Sequence, residues 1–89
     1  MLIRRAKSFL KRYQKLPLKI QTKVDAALAL FFDDPQDPAL RNHALVGKYR
    51  GLNSIDVTGD WRIHLRELSG GRYEFVELVA VGTHSQLYG

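Results

Sequence analysis

The chain contains no cysteine, which excludes disulfides, thiolate metal sites and thiol nucleophiles and leaves any catalysis to other side chains. No apolar run approaches the ~20 residues that a membrane-spanning helix needs, and Met1-Leu2-Ile3 is too short for the hydrophobic region of a secretory signal. A cytoplasmic protein with no membrane partner is therefore expected. Histidine is scarce: His43, His64 and His84 stand far apart with no short-spaced pair, so neither a metal site nor another cofactor is expected. A Walker loop, a G-x-S-x-G elbow and a G-x-G-x-x-G turn are also missing. Acidic residues are absent from positions 1–23, which carry Arg4, Arg5, Lys7, Lys11, Arg12, Lys15, Lys19 and Lys23. Such a block attracts polyanions, nucleic acid first among them. An acidic protein would be drawn equally well, and a solvated helix face carries the same pattern.

What is present is enough for one core. With 89 residues and a net charge of +5, the chain is expected to form a single domain over residues 1–89. Phe9, Leu10, Tyr13 and Leu16 recur at helical spacing among basic residues, which predicts an amphipathic helix over about 6–16. Pro17 fits the first turn of a second helix, with Ile20, Val24, Ala27, Leu28 and Phe31 on one side and Asp33-Asp34-Pro35 as its stop. The two helices are expected to form a hairpin. Residues 33–42 have loop chemistry, with one short turn available at Ala39-Leu40-Arg41.

From Leu52 onward the period becomes two. Ile55 and Val57 alternate with Ser54, Asp56 and Thr58, and Trp61, Ile63 and Leu65 alternate with Arg62, His64 and Arg66. This is the pattern of an antiparallel hairpin. Pairing Val57 with Trp61 and Ile55 with Ile63 buries all four and sets Asp56 opposite Arg62 and Ser54 opposite His64. A slip of one residue would bury Arg62 against Val57. Ser69-Gly70-Gly71 makes a second tight turn. Tyr73 to Val81 is apolar on both parities, so this strand is expected to be central.

The polar face and its edges then carry His43, Asp56, Asp60, Arg62, His64, Arg66 and His84. RNA cleavage without a metal requires a base for the ribose 2′-OH, cations for the charged phosphorane and an acid for the departing 5′-oxygen. This set supplies those groups. An Asp56–Arg62 ion pair and an exposed or structural His64 are also ordinary surface features. His43 reads equally as a turn cap, Asp60 as a turn residue, Trp61 as core and Tyr88 as packing.

Leu40-Arg41-Asn42-His43-Ala44-Leu45, Gly47-Lys48-Tyr49-Arg50-Gly51, Ser54-Ile55-Asp56-Val57, Gly59-Asp60-Trp61-Arg62-Ile63 and Gly82-Thr83-His84-Ser85 occur in that order. In order and spacing, across nearly the whole chain, they resemble the RelE/ParE toxin superfamily, nearest its YafQ-like RelE/StbE branch. The resemblance implies an α+β domain with two N-terminal helices on a small antiparallel sheet, the RelE-like microbial ribonuclease fold. It also implies the toxin of a type II toxin–antitoxin pair. Such a toxin is a ribosome-dependent, metal-independent endoribonuclease that cuts mRNA in the A site through the ribose 2′-OH.

The resemblance implies roles for individual residues as well. His43, Asp60 and His84 match functional positions, Arg62 falls where related toxins carry a phosphate-stabilising arginine, and Tyr88 takes the place of a C-terminal aromatic. Asp56 stands where YafQ-like members often carry a third catalytic histidine. His84 is expected as general acid, and His43 or Asp60 as base. Arg4, Arg5, Lys7, Lys11, Arg12, Lys15, Lys48 and Arg50 are expected to meet RNA and ribosome. The implied partners are a cognate antitoxin, the ribosome with its mRNA, and operator DNA only through the antitoxin. The competing readings are a ParE-like gyrase inhibitor and a catalytically weakened toxin-fold protein that mainly binds its antitoxin.

Overall fold

The computed structural model describes residues 1–88. In chain order the elements are β1 (Leu2–Arg5), α1 (Lys7–Gln14), α2 (Leu18–Asp33), β2 (His43–Ala44), β3 (Asn53–Thr58), β4 (Trp61–Glu67), β5 (Phe75–Thr83) and α3 (His84–Tyr88). Two 3-10 turns, Pro38–Leu40 and Gly47–Tyr49, sit in the connection from α2 to β3. The strands form one five-stranded sheet in the order β1-β5-β4-β3-β2. The α+β class is as expected, and the last long strand, β5, is interior, flanked by β1 and β4.

The sheet differs from the expected antiparallel one in being mixed. β1 runs parallel to β5, pairing Leu2 with Phe75 and Arg5 with Leu78. Four residues with two arginines carry no usable alternation, so only the tertiary pairing reveals this strand. Where β1 ends, α1 takes over the open edge of β5, with Ser8 Oγ donating to the Val79 carbonyl at 2.5 Å. α1 and α2 fold back on each other as expected. The Tyr13 hydroxyl donates to Asp25 Oδ1 at 2.7 Å, and Gln21 Nε2 donates to the Tyr13 carbonyl at 2.9 Å.

The core lies between the helices and one face of the sheet. Phe9, Val24, Ala27 and Phe31 meet Ile55, Ile63, Leu65, Val76, Leu78 and Val81, with Leu40 closing the end. Leu10, which shares the apolar stripe of α1, is instead exposed. Alternation along β3 and β4 buries one parity and turns the other, with Asp56, Arg62 and His64, toward the opposite face. The expected pairs Ser54–His64, Ile55–Ile63 and Asp56–Arg62 are all formed. The last pair is not: a bulge at Val57 brings Thr58 opposite Trp61, leaving Gly59-Asp60 as a two-residue turn with Gly59 at φ 49°. A positive φ in the first central position suits a tight hairpin, and the extra residue is absorbed by the bulge.

The second hairpin turn is built on one carboxylate. Glu67 accepts from the amides of Ser69 (3.0 Å), Gly71 (2.6 Å) and Tyr73 (2.8 Å) and from the Ser69 hydroxyl. The Ser69 oxygen in turn accepts from the amides of Glu74 and Phe75. These donors, the Ser69 hydroxyl first, hold Glu67 well below the usual carboxylate value, down to about 2. A depressed folded pKa means stability that is present above the unfolded value of 4.5 and is lost as pH falls toward 2. The Glu67→Gln variant, which presents an N–H donor to other donors, is expected to melt below wild type at neutral pH. The gap should narrow between pH 4.5 and 2 as the wild-type carboxylate protonates; circular dichroism melts across that range check both parts.

Candidate active site

The face of the sheet turned away from the core carries two cross-strand rows. The first runs His43, Ser54, His64, Ala80 across β2, β3, β4 and β5, and the second runs Asp56, Arg62, Gly82 across β3, β4 and β5. Residues two apart on a strand lie about 7 Å apart on the same face, so the rows are neighbours. β2 exists only as His43 and Ala44, and its pairing with β3 places His43 in this array.

His43 is exposed, and its Nδ1 lies 2.8 Å from the Arg41 carbonyl. A carbonyl only accepts, so Nδ1 carries a proton in this contact, and the tautomer that fits it has its lone pair on Nε2. Arg41 reaches this position in the left-handed region, φ 47° and ψ 47°, a conformation that costs a non-glycine residue roughly 1 kcal/mol. The same residue sends its guanidinium to Asp56, with Nε 3.4 Å from Oδ2.

Asp56 is shared by two arginines. Arg62 Nε lies 3.0 Å from Asp56 Oδ1, while Arg62 Nη1 donates to the carbonyls of Gly59 (2.7 Å) and Trp61 (2.9 Å). Nη2 has no hydrogen bond to the described residues. One carboxylate between two guanidinium groups leaves the cluster net positive, which suits an anionic phosphate.

The C-terminal segment folds over the first row. Thr83 and Gln86 form a reciprocal cap, with the Thr83 amide donating to Gln86 Oε1 at 2.9 Å and the Gln86 amide to Thr83 Oγ1 at 3.3 Å. Gly82 leaves the room this needs, since a Cβ there would stand 3.0 Å from Gln86 Oε1. The cap starts the short helix α3, whose first amide, that of His84, donates to the Asp60 carbonyl at 3.1 Å. His84 and Tyr88 are four residues apart and meet on one side of this helix, ring centroids 4.7 Å apart. Gly89 lies outside the described residues.

Beneath Tyr88 sits His64, only 2% exposed, with Nε2 2.9 Å from the Tyr88 hydroxyl oxygen. Tyr49 packs edge-on against Tyr88 at 4.9 Å and against His64 at 5.9 Å, and its hydroxyl donates to the Leu87 carbonyl at 3.0 Å. Burial, and after it the charge of His43, lowers the His64 pKa below its ordinary 6.5. Stability from the neutral ring is therefore present above that value and lost as pH falls below it.

Solved structures share this architecture. YafQ from Escherichia coli superposes with a TM-score of 0.78 at 19% identity, over 99% of this chain and 98% of that one. The YoeB/ParE toxin from Agrobacterium tumefaciens gives 0.74 at 18%, over 94% and 99%. The toxin–antitoxin complex RelBE2 from Mycobacterium tuberculosis gives 0.62 at 22%, over 91% and 94%. The chain has the fold of the RelE/YafQ-like toxins. No protein-family model and no curated protein sequence matches it.

On this RelE/YafQ-like frame the residues singled out by sequence divide into groups. His43, Asp56, Arg62, His84 and Tyr88 share one face or its overhanging helix. Asp60 joins them through its carbonyl, while its exposed carboxylate has no hydrogen bond or ion pair with the described residues. Arg12 and Lys15 line a hollow of about 500 Å³ with Trp61 and Gln86, at the edge of the same site. Lys48 holds its ammonium 5.3 Å from the Tyr49 ring centroid, and Arg50 is in the same loop. Lys7 and Lys11 are exposed on α1. Arg4 is paired with Glu77 at 3.1 Å, and Arg5 lines the cleft between the helices beside Tyr13 and Asp25.

Two residues belong to the site without having been singled out for it, Tyr49 and Arg41, and a third, His64, stands in the polar-face set but without a role of its own. Alternation put His64 on the polar face, but its burial comes from α3, which strand periodicity does not report. Tyr49 stands in the recognisable Gly47-Lys48-Tyr49-Arg50-Gly51 segment. Nothing in the sequence marks Arg41 as left-handed. Among the described residues, no group of three or more His, Asp and Glu side chains is placed to hold a metal ion.

Proposed function

We propose that this chain, acting as one domain over residues 1–89, is the toxin of a type II toxin–antitoxin pair. In this reading it is a ribosome-dependent, metal-independent endoribonuclease of the cytoplasm. The observation that carries the proposal is the placement of His43 and Arg62 in adjacent rows of one sheet face, with α3, which bears His84, folded over the first row. Its partners are an acidic antitoxin, through it the operator DNA, and the ribosome with its mRNA.

The reaction follows from those groups. His43 Nε2 removes the proton of a ribose 2′-OH, and that oxygen attacks the adjacent phosphorus. Arg62 Nη2 stabilises the charge that accumulates on the phosphorane oxygens. The bond from phosphorus to the 5′-oxygen breaks as the His84 imidazolium supplies a proton, leaving a 2′,3′-cyclic phosphate and a free 5′-hydroxyl. Tyr88, beside His84, offers a ring face to a base. The face is open and shallow, so the RNA strand needs an outside surface to hold it in line. A ribosomal A site provides one, and the basic helix α1 faces the rRNA.

Primer extension on an mRNA translated by purified ribosomes is expected to show new ends within ribosome-bound codons as toxin is added. The same RNA without ribosomes should stay intact, and gyrase supercoiling should proceed at its normal rate. Inhibited supercoiling with uncut RNA would instead establish the ParE-like reading.

A further inference from the structure

We propose that His64 is a positioning residue for this site: through Tyr88 it fixes the C-terminal helix so that Tyr88 and His84 stand over the sheet face that carries His43. The inference rests on the proposed ribonuclease function and adds a residue to it.

The placement of His64 is costly unless it does something. It occupies the central strand β4 between Ile63 and Leu65 and is almost fully buried. An imidazole removed from water needs a hydrogen-bond partner, and the partner here is the Tyr88 hydroxyl, 24 residues along the chain. An aliphatic residue would fill the same strand position with no such requirement. Its cross-strand neighbours are the small Ser54 and Ala80, which leave the ring open to the helix above.

That helix has little else to hold it. α3 is five residues long and none of them is buried, far below the length at which a helix is stable by itself. Its start is tied by the Thr83–Gln86 cap and the Asp60 carbonyl. Its end is tied by Tyr49 to the Leu87 carbonyl and by His64 to Tyr88. Both end ties converge on one turn, so His64 acts on the chemistry only through Tyr88 and, by ring contact, through His84.

The test compares His64→Leu, His64→Gln and Tyr88→Phe, each checked for a cooperative thermal melt, in ribosome-dependent cleavage with kcat and KM measured separately. The His64→Leu variant should lose kcat by about tenfold, the loss of one hydrogen bond, with KM little changed. The His64→Gln variant, whose amide still reaches a hydroxyl, should recover much of that loss. In the Tyr88→Phe background, His64→Leu should cause no further loss, because the hydroxyl through which His64 acts is gone. In NMR spectra of His64→Leu, the backbone resonances of Leu87 and Tyr88 should move toward random-coil values, while those of β3 and β4 away from position 64 stay in place.

Unchanged kcat in folded His64→Leu, or losses that simply add in the double variant, would overturn the inference while leaving the ribonuclease reading intact. A wild-type protein that cuts no translated mRNA would overturn both.

Discussion

Replacing His84 with alanine is expected to lower ribosome-dependent cleavage by about 10²- to 10⁴-fold, the range for loss of a general acid or base. The fold and antitoxin affinity should be unaffected. The ring is exposed, makes no hydrogen bond to the described residues and packs against Tyr88. Removing it therefore opens no core cavity, and a loss of activity cannot be assigned to unfolding. The companion His43→Gln variant should fall by a similar factor, because a glutamine amide near the Arg41 carbonyl offers no basic nitrogen to the 2′-OH. Since acid and base serve one step, the double variant should fall much less than the product of the two. Primer extension with a dilution series of each protein reads all three values. Wild-type cleavage by His84→Ala would move the acid role to another group, with Tyr88 the nearest to hand.

How far the sequence reached depends on what kind of interaction makes each feature. Helices α1 and α2, the β3–β4 register over Ser54, Ile55 and Asp56, and the interior place of β5 follow from local periodicity. All were legible. β1 and β2 were not, because Leu2–Arg5 and His43–Ala44 are too short for a period and become strands only by pairing with β5 and β3. The site divides the same way. Asp56 and Arg62 face each other because of strand register, which alternation reports. His43 enters the array through the two-residue strand β2, and His64 becomes buried because α3 folds across it, so both depend on tertiary contacts. The Gly82-Thr83-His84-Ser85 segment, quoted for its histidine, also acts locally, since Thr83 and the Gln86 that follows the segment cap the helix that presents His84.

Asp56 and Arg62 provide the sharpest remaining test, because one could be the reagent and the other its support. Arg62→Ala is expected to lower cleavage by about 10²- to 10³-fold, as loss of a charge-stabilising donor does. Arg62→Lys should recover little of this. A lysine has no planar fork to satisfy the Gly59 and Trp61 carbonyls and Asp56 while still presenting a nitrogen to phosphate. Asp56→Ala should be milder, about tenfold. Arg62 would keep both carbonyl partners, although Arg41 and Arg62 would then face each other without the carboxylate between them. The expected order of loss is therefore Arg62→Ala, then Arg62→Lys, then Asp56→Ala, read as kcat in the purified translation system. It makes the carboxylate a brace for the two arginines, in the place where the resemblance leads one to expect a third histidine. If Asp56→Ala proves the most damaging of the three while its melt stays cooperative, the carboxylate itself takes the 2′-OH proton. His43 would then be left to orient the strand.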